Sequence, residues 1–427
     1  TIVAFSQAGV LIDALSADAV VERNAVHTAA YPTVGIDVVG PTAVVESNTI
    51  YKDGVHAFGA FVQDFGIRIA PPQVQTTDLV VRNNVAYNNN VGISVSGDRN
   101  AEVYGNLTRD NYDGMIVAAR FGTATAYGNV AHDNQNRGFS VGIFAQLYDN
   151  VAYRNDVGFQ IENNLLSRNS AFVGLPDGRG NESFDNRVGI HTRSGATYYN
   201  RVYGNAENGI EVVGIVNLAV GNVVYSNGGV GIDAFEEGDI VNNLIYDNGN
   251  FGLRLWRNPF TSRVVQQNTI WHDVGTAVWI EGGGRVTSLH NNLIVVQAGT
   301  GIEVVGTDAT FVSDFNLVYP ATPAGQFGRY NGAAAATLSA WQAASGRDAR
   351  SLSADPLFVD LNGADNLLGY DDAADADRGV DDNFHLRAGS PAIDRGKSFG
   401  VPVLDQTRFG RVDDPGTPNA GEDDYRQ

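Results

Sequence analysis

An asparagine-anchored motif recurs through most of this chain of 427 residues. Each copy begins with Asn, continues through a short apolar stretch to a second Asn or Asp, and precedes a Gly-apolar-x-apolar segment. Clear copies begin at Asn84, Asn106, Asn129, Asn150, Asn222 and Asn243. Uninterrupted copies start 21 to 25 residues apart, which is too short for two helices per repeat. Because the apolar positions alternate with period 2, each copy is predicted to be a coil of short strands.

Asn and Gly have physical roles in such a coil. A turn that recurs in every coil directs backbone groups inward, and a buried Asn amide can bond them and the Asn residues of neighbouring coils. Gly provides the positive φ that corners require. Hydrophobic residues make up 43% of the chain, enough for a continuous core between stacked coils. We therefore expect an all-β, right-handed parallel β-helix solenoid of about a dozen coils.

The repeat resembles that of the right-handed parallel β-helix family, which includes secreted polysaccharide lyases, epimerases and hydrolases and bacterial surface proteins. Near the C-terminus, the segments Ala354–Asp360 and Asp382–Asp394 are similar to the tail that closes many bacterial β-helix proteins. The predicted domains are a β-helix over residues 1–320 and a capping region over residues 321–427, with a short helix and an acidic loop. This resemblance is informative about fold, whereas one solenoid can host many unrelated activities.

Composition excludes several classes of function. The chain has no cysteine, so disulfides and thiol chemistry are excluded. Its 28 Lys and Arg against 48 Asp and Glu give a net charge of −20, which argues against nucleic acid and anionic membranes as partners. No apolar stretch approaches the ~20 residues of a membrane span. The resemblance implies a secreted or cell-surface location, periplasmic or extracellular.

The Gly-apolar-x-apolar segments allow outward positions to be compared between coils. Position x and the position two residues later are predicted to face solvent on one sheet. Across the coils from Gln160 to Glu281, these positions collect charged and aromatic side chains. They are Glu162, His191, Arg193, Glu211, Asp233, Phe235, Arg254, Trp256, Trp279 and Glu281. Equivalent side chains of adjacent coils are within contact reach, because the coils lie ~4.8 Å apart.

This set has the chemistry of a polysaccharide site. Glu211 and Asp233 form a like-charged pair that could provide an acid and a base, with His191 assisting proton transfer. We expect Arg193 and Arg254 to hold anionic or hydroxyl groups. The predicted sugar subsites are formed by Phe235, Trp256 and Trp279, with Glu162 and Glu281 also predicted to contact substrate. The alternative is an ordinary solenoid surface, kept soluble by ladders of opposite charge.

The sequence therefore supports two functions. The first is a secreted enzyme that cleaves or remodels a glycan by hydrolysis or β-elimination. The alternative is a non-catalytic extracellular solenoid, structural, adhesive or carbohydrate-binding. The catalytic motifs of mannuronan epimerases and polygalacturonases are missing, so the resemblance does not select a reaction. No nucleotide-binding or zinc-protease motif is found, and no organic cofactor is expected.

An aromatic stripe and two insertions complete the features of the repeat. The stripe is the third residue after each ladder Asn, as in Tyr51, Tyr87 and Tyr153, and is either a platform for a polymer or structural stacking. The insertions His56–Thr77 and Asn163–Val188 interrupt the coil spacing. In the second insertion, Leu175–Gly180 could form a wall of the proposed cleft.

An acidic loop follows the repeat. Asp360, Asn362 and Asp365 are candidate calcium ligands, because hard cations prefer carboxylate and amide oxygens. The spacing does not match an EF-hand, and a solvated acidic loop is the alternative. Before this loop, the Ala-rich segment Gly332–Ser345 is predicted to form a short helix that packs across the end of the solenoid.

Overall fold

A computed structural model describes most of the chain. The described residues are 2–3, 8–13, 18–28, 33–40, 42–52, 64–70, 79–97, 100–119, 122–162, 171–214, 217–235, 238–257, 262–306, 311–397, 405 and 416. The chain forms two compact units, Thr1–Asn200 and Arg201–Gln427, and each is described by itself. The predicted division at residue 320 stays a prediction.

Each coil of the first unit contributes one strand to each of three parallel series. The Gly strands carry the Gly-apolar-x-apolar signature and are Ala8–Ile12, Val34–Val38, Phe65–Ile69, Val91–Gly97, Asp113–Ala119, Arg137–Val141, Val157–Glu162 and Val188–Arg193. The middle strands are Ala19–Glu22, Ala43–Glu46, Leu79–Arg82, Ala101–Tyr104, Ala124–Tyr127, Ala145–Tyr148, Phe172–Val173 and Ala196–Tyr198. The Asn strands are Ile2–Val3, Ala25–Thr28, Thr49–Lys52, Val85–Tyr87, Leu107–Arg109, Val130–His132, Val151–Tyr153 and Glu182–Phe184.

The second unit repeats this architecture. Its separate Gly strands are Ile210–Val213, Val230–Ala234, Phe251–Leu255 and Gln326–Tyr330. Its middle strands are Leu218–Val220, Asp239–Val241, Arg263–Gln266, Thr287–His290 and Phe311–Asp314. Its separate Asn strands are Arg201–Tyr203, Val223–Tyr225, Leu244–Tyr246 and Leu317–Pro320. Two long strands, Thr269–Glu281 and Leu293–Val305, join an Asn strand to the next Gly strand.

The parallel β-helix predicted from the repeat is confirmed. Middle strands number thirteen among the described residues, one in each coil and close to the predicted dozen. The pairing is parallel and in register throughout each series, as in Ser94↔Ile116 and Ile116↔Ser140. The core is filled by the inward side chains, so that Ala86, Ile93 and Val103 have no exposed surface. Burying one aliphatic side chain of this kind contributes about 1.5–3 kcal/mol.

Buried asparagines form a hydrogen-bonded ladder between the middle and Asn strands. Asn129 shows the arrangement: its Nδ2 donates to Asn150 Oδ1 at 2.9 Å and to the carbonyl oxygen of Val103 at 2.8 Å. Its Oδ1 accepts from the backbone N–H of Asn106 at 3.0 Å. In the first unit this ladder joins Asn24, Asn48, Asn84, Asn106, Asn129, Asn150, Asn181 and Asn200. The predicted role of the amides, to satisfy inward backbone groups and each other, is confirmed.

The turns explain two sequence preferences. The residue before most ladder asparagines adopts a left-handed conformation, with φ of 56° at Asn83 and 63° at Gly105. Asn and Gly tolerate this conformation better than most residues. In the Gly strands the requirement is close approach, because a Cβ at Gly114 would lie 2.5 Å from the carbonyl oxygen of Gly138. The glycine of the Gly-apolar-x-apolar signature is thus needed for coil stacking.

The region after the last coils of the second unit contains a helix over only the C-terminal part of the predicted segment Gly332–Ser345, because Ala333–Ala335 forms a strand antiparallel to Gln326–Tyr330. This helix, Leu338–Ser345, begins at the N-cap Thr337 and ends at Gly346, and it buries Trp341 completely. The Trp341 ring lies 6.0 Å from that of Phe327 in the last Gly strand. Beyond the helix come four short strands, Phe358–Asp360, Tyr370–Asp371, Ala376–Asp377 and Asn383–Leu386. The first and the last of these strands form an antiparallel pair. This pairing joins the two tail segments that carry the family resemblance.

We call residues 369–386 the tail segment. It covers the aromatic stripe of the second unit. Tyr225 Oη donates to Asp377 Oδ1 at 2.8 Å, and the backbone N–H of Tyr370 donates to Ser226 Oγ at 2.9 Å. The ring of Tyr246 lies 4.7 Å from that of Phe384. Tyr225 and Tyr246 are accordingly almost fully buried.

The tail segment contains an acid whose titration we expect to affect stability. Burial raises the pKa of Asp382 to about 6, opposed by hydrogen bonds from Gly369 and Tyr246. Because the folded state favours the protonated form, its stabilising contribution is present at low pH and is lost as pH rises through about 6. We expect Asp382→Asn to raise the melting temperature at neutral pH relative to the native chain, with the difference shrinking towards pH of about 4.

Thermal melts across this pH range measure the effect. The matched control is Asp372→Asn, which changes an exposed carboxyl of the same segment. A difference between Asp382→Asn and the native chain that does not vary with pH would contradict the assignment.

Candidate functional site

The outward positions of the second unit align as the sequence predicts. In the first row, Glu211 pairs with Asp233, Asp233 with Arg254, and Arg254 with Trp279. The row continues through Glu303, which pairs with Trp279 and with Arg329 of the last Gly strand. These registers place charged and aromatic side chains of successive coils side by side. We call this surface, from Glu211 to Arg329, the Gly-strand face of the second unit.

The structure corrects the prediction for Asp233, because this side chain is buried. Its side chain has 0% exposed surface, although position x was predicted to face solvent. Arg254 Nε donates to Asp233 Oδ1 at 2.9 Å, and Arg254 Nη2 contacts Asp233 Oδ2. Trp256 Nε1 also donates to Oδ1, at 2.9 Å. The longer side chains of the following coil thus lie across the carboxylate and enclose it.

This cluster fixes the orientation of the aromatic side chains. The guanidinium carbon of Arg254 lies 5.0 Å from the ring centre of Trp256 and 5.5 Å from that of Phe251. On the preceding coil, Phe235 stacks on Trp256 at 5.8 Å with an interplanar angle of 7°. A cation held between aromatic rings and bonded to a buried carboxylate has little freedom to move. The cluster is thus a rigid support for Trp256.

Trp279 is oriented differently from the other rings of this face. Its ring centre is 5.2 Å from that of Trp256, with the two planes at 68°. Its contact with Phe251, at 6.2 Å and 57°, is also tilted. Neither contact is a parallel stack, and the side chain is half-buried. A ring stacked in parallel on both sides offers only its edge to a ligand, and the described ring contacts of Trp279 are tilted instead.

Three glutamates border the aromatic rings. Glu211 Oε1 accepts from Asn208 Nδ2 at 2.8 Å, and Glu281 Oε2 accepts from the backbone N–H of Arg257 at 3.1 Å. Glu303 Oε2 accepts from Thr276 Oγ1 at 3.0 Å. All three side chains are partly exposed. Each carboxylate has further lone pairs that can accept hydrogen bonds.

The remaining predicted site residues lie in the first unit. Gln160 pairs with His191 and Glu162 with Arg193, so their rows also align as predicted. His191 is half-buried and Arg193 is exposed, while the side chain of Glu162 lies outside the described part of the structure. The grouping of these residues with Glu211 and Asp233 stays a prediction.

The structure describes the two insertions only in part. Residues 56–63, 71–77 and 163–170 of the two insertions lie outside the described residues. Between the first two of these segments, Phe65–Ile69 is a regular Gly strand. Leu175–Gly180 joins a middle strand to an Asn strand, and its Arg179 packs over the Tyr148 ring at 4.1 Å. Along the chain this loop therefore follows a middle strand, not a Gly strand.

The aromatic stripe of the first unit is a stack. Ring centres of Tyr51 and Tyr87 are 5.0 Å apart with planes at 5°, and those of His132 and Tyr153 are 4.8 Å apart at 9°. The structural stacking predicted as one interpretation is confirmed. Because stacked rings expose edges and a sugar ring packs on a face, the stripe is less suited to a glycan than Trp279.

The acidic loop does not converge on one point. Asp360, Asn362 and Asp365 are exposed, and Asp365 Oδ2 lies 3.9 Å from Arg378 Nη1. Asp381 Oδ2 accepts from the backbone N–H of Ala364 at 2.7 Å, which holds the loop in place. Among the described residues, no three His, Cys, Asp or Glu side chains are arranged to hold a metal ion. Calcium binding stays a prediction.

Two contributors to the face were missed by sequence reasoning. Phe251 precedes the glycine of its strand, at the corner where the alternation of inward and outward positions breaks down. Asn208 lies in the turn before Glu211 and also accepts from the backbone N–H of Val230 at 2.9 Å. No periodic signal marks either residue. The Asn-Gly step at 208–209 indicates a turn, and the side-chain contacts depend on rotamers.

Comparisons with known proteins show the family. No curated protein matches the chain. Among solved structures, the A-module of mannuronan C-5 epimerase AlgE6 from Azotobacter vinelandii has 16% identity and a TM-score of 0.44, covering 69% of this chain and 84% of that chain. The AlgE4 A-module from the same organism has 14% identity and a TM-score of 0.42, covering 79% of this chain and 88% of that chain.

Among the residues that the structure describes, no helix has the length and apolar character needed to cross a membrane.

The sequence matches the family described as right handed beta helix region over residues 8–173 and 179–317, which is more than half of the chain. The match agrees with the parallel coils and fixes their hand. The chain belongs to the right-handed β-helix family.

Proposed function

We propose that the second unit binds a polysaccharide on its Gly-strand face. The observation that carries the proposal is the half-buried Trp279, which is set at 68° to Trp256 and has no parallel ring partner in its described contacts. Sugar rings present C–H surfaces that pack on aromatic faces, while their hydroxyls donate to carboxylates. In this site Glu211 and Glu281 are the acceptors, and Trp279 is the stacking surface.

A binding measurement tests the proposal. We expect Trp279→Ala to weaken glycan affinity by about tenfold or more, because an aromatic subsite loses both buried area and ring stacking. Affinity gel electrophoresis against a panel of soluble polysaccharides gives the dissociation constants. Trp271→Ala is the matched control, because Trp271 is also half-buried and lies on an Asn strand. Equal affinities for the native chain and Trp279→Ala would refute the assignment of the subsite.

Cleavage or remodelling of the bound glycan is the second candidate function. It is favoured by the register pairing of Glu211 with Asp233, which brings two carboxyl groups to adjacent coils. Because Asp233 is enclosed by Arg254 and Trp256, we assign proton transfer to Glu211 and a positioning role to Asp233. His191 remains the predicted assisting group, and Arg193 remains a predicted ligand for substrate hydroxyl or carboxylate groups.

Turnover assays separate this candidate from binding alone. We expect Glu211→Gln to abolish the release of reducing ends or unsaturated sugars while preserving affinity, since the amide keeps the shape but cannot exchange a proton. Glu207→Gln, at an exposed position of the preceding turn, is the control. Full activity in Glu211→Gln would exclude this residue as the acid or base. Binding without any turnover in the native chain would support a carbohydrate-binding solenoid.

Export to the periplasm or the cell surface, which the family resemblance implies, belongs to the same proposal. Detection of the chain in fractionated cells tests it. If no glycan binds in any condition, the structural or adhesive solenoid becomes the better interpretation.

A further inference from the structure

We infer that the glycan bound on this face is uncharged, and that polymers of uronic acids are excluded. The inference rests on the proposed function and specifies its substrate class. A polyuronate carries a carboxylate on every sugar, so its recognition requires cations that are available to bind those groups. The question is therefore which cations the Gly-strand face of the second unit can offer.

The arginines in line with the aromatic rings are already engaged. Arg254 binds Asp233 through two nitrogens, with Nε 2.9 Å from Oδ1. This pair is internal to the face, because the Asp233 side chain is fully buried and that of Arg254 is 23% exposed. Arg329 Nη1 lies 3.7 Å from Glu303 Oε1. A uronate that approached either guanidinium would have to displace a carboxylate that the chain itself supplies.

The overall charge of the face also disfavours binding of a polyuronate. Four carboxylates, those of Glu211, Asp233, Glu281 and Glu303, stand against the three arginines Arg254, Arg257 and Arg329. Arg257 is exposed beyond the end of its Gly strand. The carboxylates thus outnumber the arginines here, on a chain whose net charge is −20. A polyanion would be repelled before contact, because like charges act over a Debye length of about 8–10 Å.

The same carboxylates suit a neutral sugar. Glu211 and Glu281 each have one oxygen fixed by a donor from the chain, Asn208 Nδ2 in the first case and the Arg257 backbone N–H in the second. A carboxylate can accept from more than one donor, and sugar hydroxyl groups supply such donors. A neutral glycan supplies donors to these acceptors and an apolar C–H face to Trp279, without bringing charge that the site must neutralise.

Binding of the full-length chain to four probes tests the inference. The probes are a neutral β-glucan, a neutral galactomannan, polygalacturonate and alginate, each measured with Ca²⁺ and with chelator. We expect a neutral polymer to bind about tenfold or more tighter than either polyuronate. Its affinity should be unchanged between about 50 and about 500 mM salt, because no charge is neutralised on binding.

The outcomes separate the inference from the function on which it rests. Tighter binding of a polyuronate, weakening with added salt, would overturn the inference and leave glycan binding in place. Polyuronate binding that appears only with Ca²⁺ would also overturn it. Absence of binding to all four probes would overturn both the proposed function and the inference.

A charge variant sharpens the test. Glu303→Gln removes the carboxylate that pairs with Arg329, so we expect it to raise polyuronate affinity, relative to neutral-glycan affinity, by about threefold or more. Glu102→Gln, at an exposed position of a middle strand in the first unit, is the control for net charge. Equal responses of Glu303→Gln and Glu102→Gln would contradict the assignment of specificity to this face.

Discussion

Asn129→Ala is expected to destabilise the first unit by about 3–5 kcal/mol, because several buried polar groups lose their partners at once. The Asn129 side chain is fully buried. It donates to Val103 O, to Tyr127 O and to Asn150 Oδ1, and it accepts from the backbone and side-chain N–H groups of Asn106. Water cannot replace these contacts unless the coil opens. The midpoint and slope of guanidinium unfolding, followed by far-ultraviolet circular dichroism, measure the loss.

The control is Glu102→Ala on the neighbouring middle strand. Glu102 is exposed and faces away from the core, so its truncation should change stability by less than about 0.5 kcal/mol. If Asn129→Ala unfolds at the same denaturant concentration as Glu102→Ala, the ladder does not stabilise the coil as described. Asn150→Ala, one coil further along, repeats the measurement at an equivalent position.

Arg254→Met is expected to destabilise the second unit by about 3–5 kcal/mol, because it leaves the buried carboxylate of Asp233 without its cation. The Asp233 side chain has no exposed surface, and only the Trp256 N–H would remain as a described donor. Released from the guanidinium, Trp256 would also lose its fixed orientation, so glycan affinity should fall together with stability. Chemical unfolding and the binding assay measure the two effects on the same protein.

A second substitution distinguishes charge from packing. In the Arg254→Met background, Asp233→Asn removes the buried charge and keeps an oxygen that can accept from Trp256. We expect the double variant to recover about half or more of the lost stability. Arg257→Met controls for the loss of an exposed arginine on the same strand end. A double variant no more stable than Arg254→Met would indicate that packing, and not charge, dominates at this position.

The sequence was sufficient to predict the repeat architecture and the rows of outward residues. Both depend on local chemistry: the Asn that turns the chain, the Gly that permits close stacking, and the period of 2 within each strand. Because every coil repeats these features, register follows from aligning the copies. Glu211, Asp233, Arg254 and Trp279 accordingly lie in one row, as the spacing indicates.

Side-chain conformations and distant contacts could not be derived in this way. The burial of Asp233 depends on Arg254 and Trp256 folding back across it, which is a choice among rotamers. Docking of the tail segment on Tyr225 and Tyr246 joins residues more than a hundred positions apart, and no repeat specifies that pairing. The separate roles proposed for Glu211 and Asp233 therefore depend on the three-dimensional structure.

The asparagine ladder also bears on how such a chain can change its length. Asn106 and Asn129 occupy equivalent places in successive coils, and each bonds the next member of the ladder in the same way. A duplicated or deleted stretch of DNA that begins and ends at equivalent asparagines would add or remove one whole coil and leave every other turn in frame. The surface could thus be extended by whole coils, giving a lineage a simple genetic route to longer or shorter binding faces.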